Sequence, residues 1–304
     1  MIPEIGFVFL PLCLAFATKP ARLLELVFLG SAFAAAAVIV VGGYGITPGL
    51  VPTAMFTGLV LLKLIFGTRY PAERTVIAVL MPFILVCAWA IISSFLMPRF
   101  FESEIYVWPQ KVASFFVLTP LAPNSGNYTQ DMYLLAAAML AILASVYLTK
   151  TGFDLRRLLD AYFVSGLIVV FISLWQFASN VVGIWFPSEF FLSNPGWSLL
   201  SDESIGSVIR INGPFAEPSA LASYLCGSTG AAGWVVLNGH RGILPRVLLG
   251  SALFVVLLST STTGYATLGL MACLTALYAI FLGSPSLRKR TAIGFAAIFL
   301  LVLA

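Results

Sequence analysis

TVIAVLMPFILVCAWAIISSFLM, residues 75–97, runs without a single charged side chain. It is longer than the roughly 18 apolar residues that mark a membrane-crossing helix. The rest of the chain repeats its character. Of 304 residues, 60% are hydrophobic and 9% charged, and the mean hydropathy is +1.03. Soluble domains carry about 25% charged residues. A transmembrane β-barrel would alternate apolar and polar residues in segments of about ten, whereas these runs are continuous. The expected fold class is therefore all-α, a polytopic transmembrane helical bundle of about 9–10 spans forming a single integral membrane domain over 1–304.

Outward from 75–97, apolar runs lie near 3–18, 23–45, 49–67, 131–149, 161–180, 216–237, 247–260, 264–283 and 291–304. Residues 1–18 carry no basic leader and read as a retained first span. Gly, Pro and charged residues punctuate the runs, as helix breakers do. The chain stops inside an apolar run at Ala304, so a continuation beyond that point is expected.

The cations order this list. Lys19, Arg22, Arg69, Arg74, Lys150, Arg156, Arg157, Arg241, Arg246, Arg288, Lys289 and Arg290 fall in five short connectors and make up twelve of the sixteen Lys and Arg residues. Alternating spans put all five connectors on one face, and the positive-inside rule makes that face cytoplasmic. Lys63 sits near the inner end of its span. Arg99, Lys111 and Arg210 fall on the outer side, where 98–130 and 181–215 form the longer outer segments. Within the first, 112–121 is apolar but too short to span, which suits an interfacial or re-entrant piece. In the second, Trp185, Phe186, Phe190, Phe191 and Trp197 suit the headgroup layer, or a platform for a lipid tail or sugar ring.

The chemistry concentrates in SVIRINGPFAEPSALASY, residues 207–224. A guanidinium at a membrane boundary is costly unless it is paired, hydrated or facing an anion. Arg210 has the fork geometry that suits phosphate oxygens. Glu217 is expected to precede a helix that begins with Pro218, where a missing N–H costs nothing. Such a start offers free N–H groups and the positive end of the helix dipole to an anion. Arg210 either pairs with Glu217 or snorkels at the interface, or shares a pyrophosphate with this helix start, and Glu217 is either the partner that neutralises Arg210 or a base. The polar turn STSTTGY, residues 259–265, reads as a helix break on the same side.

Other polar groups read more plainly. His240, the single histidine, lies in a basic connector and is assigned to the solvated face. Asp131 is expected to open a helix and complement its dipole; Asp202 and Glu203 read as a solvated loop. Asn127-Tyr128-Thr129 matches a glycosylation acceptor. Cys13, Cys87, Cys226 and Cys273 lie inside apolar runs without metal-ligand spacing. There is no P-loop, no GxGxxG after a strand, no HExxH and no Ser-His-Asp set, and nothing points to nucleic acid.

RINGPFAEPSALASYL resembles a segment of the O-antigen polymerase and O-antigen ligase superfamily. Its members carry an arginine, then Gly-x-Phe, then a polar residue, a proline and a small residue entering a helix. Arg210, Gly213, Phe215, Glu217, Pro218 and Ser219 stand in those places. STSTTGYATLGL resembles the family's Ser-rich turn, except that Thr263 precedes Gly264 where the family often has arginine. The Glu-Pro-Ser form is closer to exopolysaccharide polymerases than to lipopolysaccharide ligases.

The resemblance implies a bacterial inner-membrane polysaccharide polymerase acting at the periplasmic face on undecaprenyl-pyrophosphate-linked repeat units, with no cofactor and no metal. An O-antigen ligase-type transferase, or a flippase or transporter of lipid-linked oligosaccharide, is the alternative. Arg210 and Glu217 are then the candidate catalytic residues, with Arg210, Asn212, Gly213, Ser219, Ser261 and Thr263 around the substrate. Implied partners are the lipid-linked oligosaccharide, membrane lipids, and a chain-length regulator or export complex. The family's large late periplasmic loop is expected beyond Ala304.

Overall fold

Helices begin and end where Pro, Gly and charge interrupt the apolar runs. The structure is a computed structural model that describes residues 1–108, 118–123, 125–197, 199, 204–205, 208–240 and 242–303. Lys111, Asp202, Glu203, Arg241 and most of 112–121 lie outside the described residues. The helices are α1 (Gly6–Ala15), α2 (Pro20–Ser31), α3 (Leu50–Ile65), α4 (Glu73–Phe100), α5 (Ser125–Leu148), α6 (Leu155–Val182), α7 (Ser188–Phe191), α8 (Pro218–Leu237), α9 (Ile243–Leu258), α10 (Thr262–Phe281) and α11 (Pro285–Leu303). A hairpin joins β1 (Ile39–Val41) and β2 (Tyr44–Ile46).

The chain is an all-α polytopic helical membrane protein. Among the described residues, α4, α5, α6, α8 and α10 are long and apolar enough to cross a membrane, while α1, α3 and α9 are apolar but shorter. Length thus supports five spans, where nine or ten were expected. In α4, Val79, Val86 and Trp89 are exposed; a face of that kind suits hydrocarbon and is costly in water.

The chain packs as two units, Met1–Pro52 with Leu155–Ala304, and Thr53–Asp154. In the second unit, Tyr147 meets Phe56, Tyr70 and Phe153 edge-on at 5.6–5.9 Å. Burial, then the neighbouring Tyr147 and Glu73, pushes the Tyr70 phenol up. Arg99 lies over the Phe95 ring and donates to Tyr128 Oη at 3.1 Å. Asp131 is not at a helix start: α5 begins at Ser125, so Asp131 is beyond the first turn where the dipole acts. Asn127, in the acceptor tripeptide, lies within α5 and donates to the Ser94 carbonyl at 3.5 Å.

In the first unit α6 and α8 are central. Phe163, Val169 and Val170 of α6 and Leu221, Leu225 and Cys226 of α8 pack with Leu248, Ala252, Val255 and Val256 of α9. Small residues set the spacing, as membrane helices require. Gly166 faces Leu248 and Ser228, and Gly264 faces Ala222 and Val256.

The apolar run 23–45 is not a span. α2 stops at Ser31, and Ala32, Ala35, Ala36, Ala37 and Val38 are fully buried outside any helix. Their backbone is satisfied by other parts of the protein. Ala35 N–H donates to the Pro214 carbonyl at 3.0 Å, and Ala35 O accepts from Asn194 N–H at 3.1 Å. Ala37 N–H donates to Ser193 Oγ at 3.1 Å. Gly42 and Gly43, at φ 58° and 83°, make the tight turn of the hairpin. Irregular backbone at membrane depth is tolerated where protein supplies its partners. Alanine's helix preference loses here to tertiary hydrogen bonding.

Gly30 makes this departure possible, since a Cβ there would lie 2.7–2.8 Å from the backbone of Pro48 and Gly49. Gly30→Val is expected to lower stability by about 1–3 kcal/mol, read as a lower melting temperature in detergent. Gly58→Ala, with open space around the new methyl, should leave melting unchanged or raise it.

Candidate functional site

The loop between Arg210 and α8 is held from beneath by α6. Gln176, buried in that helix, accepts from Asn212 N–H at 3.0 Å and Gly213 N–H at 2.7 Å through Oε1. Its Nε2 donates to Asn212 Oδ1 at 2.7 Å. Asn212 Nδ2 donates in turn to the Phe215 carbonyl at 2.5 Å. Asn212 is fully buried and spends both ends of its amide inside the protein, so it shapes the loop. Gly213 takes φ +55°, the left-handed region that glycine enters without strain. A Cβ there would run into Ser173 Oγ, a buried hydroxyl with no partner among the described residues.

α8 starts where the sequence indicates. Glu217 is the extended N-cap, at φ −147° and ψ 156°, with Pro218 in the first helical position and no side-chain cap. The Glu217 carboxylate accepts from Ser219 Oγ at 2.5 Å. An Arg210–Glu217 ion pair is not among the ion pairs of the described residues. Half-buried Arg210 instead donates from Nε to the Ser259 carbonyl at 3.4 Å.

That contact joins two stretches 49 positions apart. Ser259 caps the C-terminus of α9, where a cation complements the helix dipole. Thr260 reverses the chain at φ +50° and donates to the same carbonyl at 2.8 Å. Ser261, buried, is the N-cap of α10, its Oγ accepting from Gly264 N–H at 3.3 Å. Thr263 is exposed on the first turn. Arg210 and the starts of α8 and α10 thus gather at one end of the first unit. Each helix start adds positive potential for an anion.

The opposite end of this unit is basic. Arg22 and Arg157 both hold Glu25 at 2.8 Å, tying the starts of α2 and α6 together. Arg290 donates to the Leu237 carbonyl at 3.1 Å and packs against Gly239. His240, half-buried in the connector after α8, lines with Arg156 an open recess between α6 and α8.

Sequence reading passed over Gln176, Ser173 and the 32–38 segment. A lone glutamine inside a long apolar helix was the available signal, because a polar residue at such a site is expensive without a purpose. The chain matches no family model, no curated protein and no solved structure.

Gly213→Ala should cost about 1–3 kcal/mol through the left-handed backbone and the collision with Ser173. Adding Ser173→Ala should recover part of the lost melting temperature, because it removes the obstructing oxygen but not the backbone strain.

Proposed function

We propose that this chain is an integral-membrane polysaccharide polymerase, joining undecaprenyl-pyrophosphate-linked repeat units at the periplasmic face of a bacterial inner membrane. The observation that carries the reading is the junction of Arg210 with the 259–263 turn beside the uncapped start of α8. The two motifs behind the family resemblance are far apart in sequence and adjacent in the fold. The separation of this end from the basic end supports an outward-facing site, by the positive-inside rule.

In this reading the sugar hydroxyl of one repeat unit attacks the anomeric carbon of another. A new glycosidic C–O bond forms, the bond to the pyrophosphate oxygen breaks, and lipid pyrophosphate leaves with the electron pair. Arg210 and the N–H groups of Ser219 and Ala220 at the start of α8 stabilise the charge growing on that leaving group. Donors fixed before reaction are worth more than donors that must reorient, which is the source of the proposed effect. Glu217, whose carboxylate accepts from Ser219 Oγ, is the proposed base for the hydroxyl proton. A ligase-type transferase would use the same chemistry with a different acceptor.

Arg210→Ala should reduce polymer formation by about a hundredfold or more, and Arg210→Lys should restore little, because an ammonium lacks the fork. The measurement is glycan chain length and lipid-linked intermediate in cells carrying each variant. Single repeat units should accumulate on the outer side. Normal long polymer in both variants would sink the mechanism, and units trapped on the inner side would favour a flippase.

A further inference from the structure

A different chemistry occupies the basic end of the first unit. The last turn of α8 and the first turn of α6 border a recess of about 560 Å³. Leu155, Leu159, Trp234 and Val235 give it apolar walls, and Arg156 and His240 add cationic or proton-bearing groups in the same space. Leu155 and Trp234 are 53% and 43% exposed, so this apolar surface is open to a ligand.

We propose that this recess binds an anionic phospholipid, with its phosphodiester on Arg156 and His240 and an acyl chain along Leu155, Leu159 and Val235. Three observations converge on that occupant. First, the charge is complementary. Glu25 is consumed by Arg22 and Arg157, and Arg290 lies close by against Gly239. Lys19 precedes α2, Arg246 lies in the first turn of α9, and Arg288 and Lys289 lie near the start of α11 in the same unit, while the acidic residues in and beside the first turns of α6 are Asp154 and Asp160. Second, Arg156 sits in the first turn of α6, where the helix dipole disfavours a cation; a phosphate beside it removes that penalty. Third, half of the lining is hydrocarbon. A free phosphate gains nothing from leucine and valine walls, whereas a lipid fills both halves at once. Trp234 sits near the end of its helix, where an indole bridges headgroup and chain. This site is independent of the proposed polymerase reaction.

The test uses the full chain in nanodiscs of phosphatidylglycerol or phosphatidylcholine. Wild type should melt higher in phosphatidylglycerol. Arg156→Gln and His240→Gln should shrink the gap, Arg156→Gln by roughly a fivefold loss of relative lipid affinity, while Arg156→Lys keeps most of it. A second measurement needs no folded charge variant. Phosphatidylglycerol brominated on its chains should quench wild-type tryptophan fluorescence more than brominated phosphatidylcholine does, and Trp234→Phe should remove that difference. Equal melting in the two lipids, a gap that survives both substitutions, or inorganic phosphate reproducing the effect would each overturn the proposal. So would equal quenching by the two brominated lipids.

Discussion

The side-chain amide of Gln176 holds the loop that leads from Arg210 into α8. Two loop N–H groups and one side-chain carbonyl end on it. In a protein surrounded by hydrocarbon, each of those groups would cost several kcal/mol if left without a partner. Removing Gln176 would expose the loop to that cost, so the position of Arg210 depends on an amide that grips the chain two and three residues further on, at Asn212 and Gly213. The 32–38 segment works by the same rule from the other side, passing its N–H groups to Pro214 and Ser193.

This arrangement divides labour along the helix axes. Small residues on α6, α8 and α10 bring the backbones close, which leaves Arg210, Glu217 and the 259–263 turn on a rigid rim. At the other end of the same helices, arginines gather around Glu25 and the recess at Trp234. Both ends favour anions, in different surroundings. One presents the starts of α8 and α10 beside Arg210; the other presents several arginines and an apolar wall.

The fates of individual residues show what kind of information the chain carries locally. Pro218 after Glu217 announced a helix start, because proline's fixed φ and missing N–H suit that place alone within a helix. The polar turn 259–265, expected as a helix break, does separate α9 from α10, with Ser261 as the N-cap of α10. Asn212 looked like a substrate contact because it lies beside Arg210, yet its amide is spent inside the protein. Neighbourhood in sequence said nothing about which way that side chain turns. Ala32 to Val38 misled for a related reason, since an alanine-rich apolar run reads as helix until its backbone finds better partners.

Sequence by itself determined the class of the protein, the start of α8 at Pro218 and the clustering of its cations. These follow from composition, from proline geometry and from the cost of charge in hydrocarbon, all of which act locally along the chain. Only the tertiary structure decided that Arg210 meets Ser259 rather than Glu217. It also decided that Gln176 and Ala35 hold the loop, and that His240 shares a recess with Arg156. Those pairings depend on which helices pack together and at what spacing, and hydrogen bonds between residues tens of positions apart have no signature in a one-dimensional pattern.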